Sequence, residues 1–441
     1  MITFHDFVAG AVPPPAARAA ASRAFLDTIG VALAGATEPA ARTLQRVVEA
    51  DGAGPCRVLG TSLRASAGNA ALANGAAAHA LDYDDMCFVS LAHPSAPLVA
   101  ASLAAAETAG APGRALLDAY VVGFEIEGRL GRAMNPRHYQ RGWHCTSTLG
   151  TIGAAAAASR LLGLDASGTG HALAIAASEA SGVKENFGTM VKPLHAGLAA
   201  RNGVTAAILA RAGMTASAAA IEGPQGFLAA MDSELLTLGE VNADLGTRWE
   251  ILDTGITVKL YPSCAGTHPT LDALLDLARR ERFTPDEVEA IDVGVDPIVP
   301  TILIYDRPST GLEGKFSMPF CAAAAIVDGR VGIDTFEPAK LRDPAILAVQ
   351  SRVTMRVDPS LDPSAPPLTQ ARVCVRLRDG RALSASANGA RGYPEQPASD
   401  EELATKFLSC AARAVPETRA REMLAALRAI ENTPDVRMVI I

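Results

Sequence analysis

The sequence predicts a mainly α-helical protein made of a large all-α domain and a smaller α+β domain. Three observations predict this fold class. Alanine- and leucine-rich segments with helical periodicity follow one another from about residue 15 to residue 213. After about residue 256, β-branched residues alternate with polar ones, as in half-buried strands. Hydrophobic residues make up 49% of the chain but aromatic residues only 5%, so small side chains must fill the core and the helices can pack closely.

The helical domain is expected to span residues 1–255. Its segments are separated by Gly, Pro and Asp, which typically begin or end helices. Representative helical segments are "AARAAASRAFLDTIGVALAGA", "SAPLVAASLAAAETAGA" and "TLGTIGAAAAASRLLGLD".

The α+β domain is expected to span residues 256–395. The segments "EVEAIDVGVDP", "SRVTMRVDPS" and "ARVCVRLRDGRALSASANG" predict strands, and Asp379–Gly380 predicts a hairpin turn in the last of them. Two helical patterns, "PTLDALLDLARRERF" and "MPFCAAAAIVDGR", lie between the strands. Residues 396–441 return to helical patterns, which we expect to rejoin the first domain.

Composition argues against several classes of function. The formal net charge is −8 and there is no basic run, so nucleic acid is not an expected partner. The seven cysteines are isolated, which fits a reducing compartment and gives no zinc or iron–sulfur pattern. The N-terminus lacks the pattern of a signal peptide, and no apolar run is long enough to span a membrane. A cytoplasmic location is therefore expected.

Basic side chains recur where helices are predicted to begin. A helix N-terminus already attracts anions, so a basic residue there disfavours the helix unless a ligand supplies negative charge. Convergence of several such helix ends would form a site for a small polycarboxylate. The helix starts concerned carry His93 before Ser95, His144 before Thr146, Lys192 and His195 beside Pro193, Lys259 and His268 before Pro269, and Lys315 before Pro319. The expected N-caps are Ser95 after His93 and one of Thr146, Ser147 and Thr148 after His144, and Pro193 is expected to be the first helical residue after Lys192.

An acidic cluster accompanies these cations. Asp82, Asp84 and Asp85 follow His79 in "HALDYDD", and one carboxylate could orient a histidine or act as a base. At least one of Asp84 and Asp85 is expected to be solvated at a helix end. Binding of Mg²⁺ would need a second acidic cluster, which the sequence does not contain, so no metal is predicted.

The motifs together resemble the MmgE/PrpD family, which includes 2-methylcitrate dehydratase, cis-aconitate decarboxylase and iminodisuccinate epimerase. The resemblance covers about residues 15–430 and implies a lid-like α+β domain, an active site between the domains and a homodimer. It also implies chemistry without a metal or organic cofactor. The segments that carry it are "NGAAAHALDYDD", "HPSAPLVAA", "HYQRGWHCTSTLGTIGAAAAASRLLGL", "NFGTMVKPLHAGLAARNGV", "VKLYPSCAGTH" and "KFSMPFCAAAAIVDG".

By position, the resemblance implies a set of site residues. The catalytic candidates are Asp82, His93, Tyr139, His144, Lys192 and Lys259, and the expected substrate contacts are Ser95, Thr146, His195, Ser263, His268 and Phe320. Two positions depart from the decarboxylase branch, which carries Thr where Met86 stands and Tyr where Phe320 stands. His5, His138 and His171 are interpreted as structural or exposed, and Cys145 and Cys264 as packing residues near the cleft.

The leading functional hypothesis is a cofactor-independent lyase of the dehydratase type, acting on a small hydroxy di- or tricarboxylate such as a methylcitrate-like acid. Its reaction would move a proton at the carbon next to a carboxylate. The alternative is an epimerase of an imino- or amino-dicarboxylate, with Tyr139 or a histidine as the second acid. Decarboxylation of the cis-aconitate type ranks lower because two hydroxyl groups are missing, and a non-catalytic anion-binding homologue is the remaining hypothesis.

Overall fold

The computed structural model describes residues 2–439 and shows a mainly helical protein with a small mixed β-sheet. Its α-helices are α1 (Phe4–Gly10), α2 (Pro15–Gly35), α3 (Pro39–Ala50), α4 (Ala67–His79), α5 (Ser95–Ala109), α6 (Gly113–Met134), α7 (Arg137–Gln140), α8 (Cys145–Leu161), α9 (Ala166–Glu179), α10 (Val191–Arg211), α11 (Phe227–Ala230), α12 (Glu250–Asp253), α13 (His268–Glu281), α14 (Gly311–Gly314), α15 (Met318–Asp328), α16 (Pro344–Gln350), α17 (Asp400–Ala411) and α18 (Glu417–Arg428). Its strands are β1 (Cys56–Arg57), β2 (Arg64–Ala65), β3 (Val288–Val295), β4 (Val353–Val357), β5 (Gln370–Leu377) and β6 (Ala382–Asn388).

Small residues let the central helices approach closely, as the alanine-rich composition predicts. A Cβ atom on Gly35 of α2 would overlap the carbonyl oxygen of Ala77 in α4. On Gly123 of α6 it would lie 2.7 Å from the carbonyl oxygen of Gly153 in α8. These contacts leave no room for a side chain, so the backbones themselves pack together and hold the loops between the helices in fixed positions.

The β part is a four-stranded sheet in the order β4-β3-β5-β6. Strands β3 and β4 are parallel, whereas β5 is antiparallel to both β3 and β6. The turn predicted at Asp379–Gly380 joins β5 to β6, and Gly380 has a φ of 90°, which glycine adopts without strain. Helix α13 packs against β5 and β6, and α15 packs against α13 and β4.

The C-terminal helices return to the helical part of the chain. Helix α17 packs against α2, where the Phe407 ring lies on Gly30. A buried ion pair joins Lys406 to Asp27, with 2.7 Å between Nζ and Oδ1. Within residues 2–439, no helix has the length and apolar character that crossing a bilayer requires.

Three helix starts differ in detail from the sequence expectation. Ser95 is the first residue of α5 rather than its N-cap, which is Pro94. His144 itself occupies the N-cap position of α8, ahead of the Thr146–Thr148 segment expected to supply the cap. Helix α10 begins at Val191, so Lys192 lies within the first turn rather than before it.

Candidate active site

A small, closed pocket lies between the helical part and the α+β part of the chain. Its volume is about 30 Å³, room for about one or two water molecules. The helical part contributes Asp82, Met86, Leu91, His93, Tyr139, His144, Phe187 and Lys192, and the α+β part contributes Cys264, Ala265, Ile302, Phe316 and Leu368. The starts of α5, α8 and α10, three of the five helix starts that carry basic residues, therefore converge on one cavity.

Asp82 forms the centre of the charged side of this pocket. It lies just after α4 with a φ of 52°, a left-handed conformation that turns the chain sharply. Its Oδ1 accepts a hydrogen bond from Lys192 Nζ. Its Oδ2 accepts one from Lys259 Nζ at 2.9 Å, and its carbonyl oxygen accepts a second from the same ammonium group at 3.0 Å. One carboxylate thus joins two lysines from distant segments.

The two lysines keep Asp82 ionised. Burial alone would raise the pKa of this carboxyl group, but the charges of Lys192 and Lys259 hold it well below its usual range. Lys259 is completely buried and does not line the cavity, whereas Lys192 does. We therefore expect Lys192 to contact a ligand directly and Lys259 to act through Asp82.

Two neutral imidazoles complete the polar wall. Burial, reinforced by the charge of Lys259, lowers the pKa of His93 to about 3. Burial and the charge of Lys192 lower the pKa of His144 well below its usual range. His144 Nδ1 lies 3.0 Å from His195 Nδ1, and its Nε2 is buried without a hydrogen-bond partner in the part of the chain described. Neutral imidazoles at a pocket wall can accept a proton from a bound acid.

Tyr139 also lines this cavity. Burial raises the pKa of this phenol well above its usual value, so it stays protonated at neutral pH. The ammonium of Lys184 lies 3.5 Å from the centre of the ring and donates a hydrogen bond to the Tyr139 carbonyl oxygen. Tyr139 is therefore available as a hydrogen-bond donor or a weak acid.

The six predicted substrate contacts lie outside the lining of the closed pocket. Ser95 Oγ donates to Asp85 in the core, and Thr146 Oγ1 accepts the His93 backbone N–H at 3.0 Å. His195 supports His144, whereas Ser263 pairs with Thr267 and His268 with the Ser263 carbonyl oxygen. Phe320 packs against Phe336. Thr146 and His195 therefore position pocket residues, while Phe320 belongs to the core of the α+β part.

Two expectations about charged residues near the pocket are wrong. Asp84 and Asp85 are both completely buried, although at least one was expected to be solvated. Lys315 does not join the pocket, because its ammonium donates to the carbonyl oxygens of Leu81 and Pro262 at 2.7 and 2.8 Å. Burial lowers the pKa of Lys315 to about 8. This lysine ties two loops together behind the site.

Sequence reasoning did not place His79 in the site. Its Nε2 lies 2.9 Å from Lys192 Nζ, and its Nδ1 lies 2.7 Å from Asp84 Oδ2. The spacing in "HALDYDD", with His79 on the last turn of a helix and the acids just beyond it, is a signal that could have identified this residue. The apolar pocket residues Phe187, Phe316 and Leu368 carry no comparable signal, because apolar residues are common in every core.

The acidic and imidazole groups are close enough together to suggest a metal site. Ligand atoms of His79, Asp82, Asp84 and His93 lie within 4.8 Å of one another. Lys192 Nζ, however, already donates to both Asp82 and His79. The Lys192 ammonium group competes with a metal ion for the lone pairs of these atoms, so the arrangement disfavours metal binding.

A second, much larger cavity adjoins the pocket. Its volume is about 1340 Å³, and it shares Tyr139, Phe187 and Ile302 with the closed pocket. The rest of its wall combines the segment around Lys184 with residues 357–367 of the α+β part. It therefore lies where a ligand would approach the smaller pocket.

Comparison with known proteins agrees with this architecture. The family model of the MmgE/PrpD N-terminal domain matches residues 4–235, and that of the MmgE/PrpD C-terminal domain matches residues 261–432. The chain is 29% identical to the cis-aconitate decarboxylase-like protein oryM of Aspergillus oryzae, over 94% of this chain and 90% of that protein. It is 27% identical to cis-aconitate decarboxylase of Mus musculus, over 83% and 76% of the two chains. The cis-aconitate decarboxylase of Aspergillus terreus is 26% identical, over 93% and 88%.

Proposed function

Because the chain belongs to the MmgE/PrpD family, we propose that it is a lyase for a small polycarboxylate whose reaction develops negative charge next to a carboxylate. The observation that carries this proposal is the Lys192–Asp82–Lys259 arrangement beside the neutral imidazoles of His93 and His144. A carboxylate bound at Lys192 would place its neighbouring carbon within the same small pocket. Preorganised cations there stabilise the developing charge, because water is excluded.

Each pocket residue then has a role in the proposed reaction. Lys192 binds the carboxylate and stabilises the enolate-like charge. His93 or His144 removes or returns a proton, which a neutral imidazole with a free nitrogen can do. Tyr139 donates a proton or a hydrogen bond at another wall of the pocket. Asp82 holds Lys192 in place and is itself held by Lys259.

Two lyase reactions fit this geometry. Decarboxylation of a cis-aconitate-like acid is supported by the relatives and by apolar residues, Met86, Phe187 and Phe316, that would desolvate a reacting carboxylate. Dehydration of a methylcitrate-like acid is supported by Met86, because the decarboxylase branch has a threonine hydroxyl at this position. Both reactions develop negative charge at the carbon next to a carboxylate, so they are distinguished by their products and not by the residues of the site.

The deciding experiment is a product screen in deuterated water with cis-aconitate, 2-methylcitrate, citrate and iminodisuccinate. Release of carbon dioxide from cis-aconitate would identify a decarboxylase, and loss of water with a new C=C bond would identify a dehydratase. An acid that is unchanged except for one hydrogen replaced by deuterium at the carbon next to the carboxylate would identify an epimerase. Thermal stabilisation by these acids without turnover of any of them would contradict the lyase proposal and favour a binding protein.

Ligand binding offers a second test of the same site. With neutral imidazoles, the charges of Lys192, Lys259, Asp82 and Asp84 sum to zero, so a bound carboxylate adds uncompensated negative charge. We expect that charge to raise the pKa of His93 or His144 and cause proton uptake. Calorimetric titrations in buffers of different ionisation enthalpy measure this uptake. Binding without proton exchange at neutral pH would contradict a carboxylate beside these imidazoles.

We further propose that the α+β part acts as a lid and that the chain forms a homodimer. The lid is supported by the size of the pocket, which is too small for a six-carbon acid unless its walls separate. Substrate-dependent hydrogen exchange in residues 296–305 and 357–370 tests the lid. Light scattering tests the dimer, and a monomer at assay concentration would contradict it.

A further inference from the structure

Behind the pocket wall, the side chains of Asp84 and His79 connect to Lys192 in a single chain of contacts. We propose that Asp84 is a positioning residue that holds His79 in the Nδ1–H tautomer, so that His79 Nε2 can hold the ammonium group of Lys192 at the pocket. This inference rests on the proposed function only in that it gives Lys192 a ligand to contact. Its first test uses no substrate.

The two ends of the chain require the same tautomer. An ionised carboxylate only accepts hydrogen bonds, so His79 Nδ1, which lies 2.7 Å from Asp84 Oδ2, must carry the hydrogen. An ammonium group only donates, so His79 Nε2, which lies 2.9 Å from Lys192 Nζ, must present its lone pair. The opposite tautomer would place an N–H against the ammonium and a lone pair against the carboxylate.

Burial makes this requirement strict. The side chains of His79 and Asp84 are both 0% exposed, so water cannot replace either partner. Burial alone would raise the pKa of Asp84, but His79 and His93 lower it, and the group stays ionised. Burial lowers the pKa of His79, which stays neutral beside the Lys192 charge. The tautomer is therefore set by two charged neighbours that face its two ring nitrogens.

As a consequence, two acceptors fix the direction of the Lys192 ammonium group. Lys192 has three N–H donors, and within residues 2–439 its hydrogen bonds go to Asp82 Oδ1 and His79 Nε2. Since Lys192 also lines the closed pocket, the third N–H remains for a ligand. Without the His79 acceptor, Lys192 would be held by Asp82 alone and could rotate about that single contact.

Asp84 also faces the second imidazole of the wall. His93 Nδ1 lies 3.4 Å from the same Asp84 oxygen, and the rings of His93 and His79 meet edge to face with 4.5 Å between their centres. His93 Nε2 in turn lies 3.8 Å from Asp82 Oδ1, so carboxylates face both of its ring nitrogens and Asp84 alone does not select the tautomer of His93. The other titratable groups that act on Asp84, His79 or His93 are Asp27, Asp82, Asp85, His144, His195, Lys192 and Lys259.

The first experiment measures the tautomer in the unaltered protein. Nitrogen NMR of ¹⁵N-histidine-labelled protein distinguishes protonated from unprotonated ring nitrogens, and His79→Gln identifies the His79 signals by their loss. We expect His79 to be neutral with hydrogen on Nδ1. A hydrogen on Nε2 would overturn the proposal without any activity assay, and it would leave the lyase proposal untouched.

The second experiment compares two neighbouring acids that are equally buried. Asp84→Asn should lower kcat about 10- to 100-fold, as loss of a group that orients a ligand does in other sites, and should mix the His79 tautomers. Asp85→Asn is the matched control and should keep kcat within about threefold. A folded Asp84→Asn protein with wild-type kcat and an unchanged tautomer would overturn the proposal.

A third comparison decides the matter if Asp84→Asn does not fold. In His79→Gln, the side-chain oxygen can still accept a hydrogen bond from Lys192, whereas His79→Leu offers no acceptor at similar volume. We expect the glutamine variant to keep at least about 10-fold higher kcat than the leucine variant. Equal kcat values in two folded variants would show that Lys192 does not need this acceptor.

Discussion

The carboxylates of the segment "DYDD", Asp82–Asp85, lie in two different environments. Asp82 faces Lys192 and Lys259 at the pocket and is held in its ionised form. Asp85, three residues later, points into the core, where it accepts hydrogen bonds from the Ser95 hydroxyl and from the Ser95 backbone N–H at 3.1 Å. Burial raises the pKa of Asp85 to about 8, so it is mostly protonated at neutral pH.

The difference shows that the partner, and not burial, decides whether these acids carry charge. Asp82, Asp84 and Asp85 are all buried, yet those beside cations or imidazoles are ionised and the one beside hydroxyl groups is neutral. Glu127 shows what burial does without any partner: within residues 2–439 neither of its carboxyl oxygens is hydrogen-bonded, and burial raises its pKa well above the usual value. An ionised acid can hold a charged lysine at a reaction site, whereas a neutral one serves as a core hydrogen-bonding group.

The largest expected effect comes from neutralising the charged acid. Asp82→Asn leaves two buried ammonium groups without their shared carboxylate, which we expect to destabilise the fold by about 3–5 kcal/mol. Since the pKa of Asp82 is depressed in the folded protein, its contribution is present above about pH 4 and is lost as pH falls further. Urea unfolding should therefore show that the wild type is more stable than Asp82→Asn at pH 7 and that this difference in unfolding free energy becomes smaller toward pH 3. A difference that does not change with pH would contradict the ion pairs.

Removing the ammonium group that reaches the pocket should affect activity most directly. Lys192→Met keeps most of the length of the side chain and should lower kcat/KM about 10²- to 10³-fold, because a donor to the developing charge is lost. Lys340→Met removes a partly exposed lysine that pairs with Asp328, and should change kcat/KM by less than about twofold. Steady-state kinetics on the acid identified by the product screen measures both, and full activity of Lys192→Met would remove this lysine from the mechanism.

The neutral acid should show the opposite dependence on pH. Because the pKa of Asp85 is raised to about 8, the folded state keeps a proton that the unfolded chain releases above about pH 4. Wild-type stability relative to Asp85→Asn should fall as pH rises from about 4 to about 8, by up to about 1.4 kcal/mol per pH unit. Unfolding curves of the two proteins across this range test the sign, and a rising difference would show that Asp85 is ionised.

A substitution at the apolar wall probes the choice between lyase reactions. Met86→Thr restores the hydroxyl of the decarboxylase branch and leaves a small cavity, at a cost of about 1–3 kcal/mol in stability. If the protein is a decarboxylase, we expect carbon dioxide release from cis-aconitate to rise, by up to about 10-fold. If the rates of carbon dioxide release and of dehydration both fall, Met86 contributes only by filling space in the pocket wall.

The smallest effect is expected at the outer cavity. Tyr305 Oη donates a 3.0 Å hydrogen bond to the carbonyl oxygen of Phe187, which connects the two parts of the chain. Tyr305→Phe removes this hydrogen bond, which we expect to stabilise the contact between the two parts of the chain by about 0.5–1.5 kcal/mol. The substitution should raise KM by about two- to tenfold while kcat changes less. An unchanged KM would indicate that this contact does not control closure.

The helical part of the fold follows from local sequence. Alanine-rich periodic segments predict its helices, and the Asp379–Gly380 pair predicts the hairpin that the structure contains. These features depend on backbone preferences within a few residues, so a sequence pattern is sufficient to find them. The convergence of His93, His144 and Lys192 was predicted as a hypothesis, because repeated basic residues at helix starts oppose the helix dipole.

Tertiary structure alone decided which of these groups face the pocket and in which state of charge. Ser95, His268, Lys315 and Phe320 share the motifs of the pocket residues, yet they point into the core or tie loops together. Asp84 and Asp85 are adjacent in the sequence, yet Asp84 contacts His79 and Asp85 contacts Ser95. The physical reason is that protonation and access depend on partners more than a hundred residues away, such as Lys192 at Asp82, and on the packing of small residues that brings those segments together.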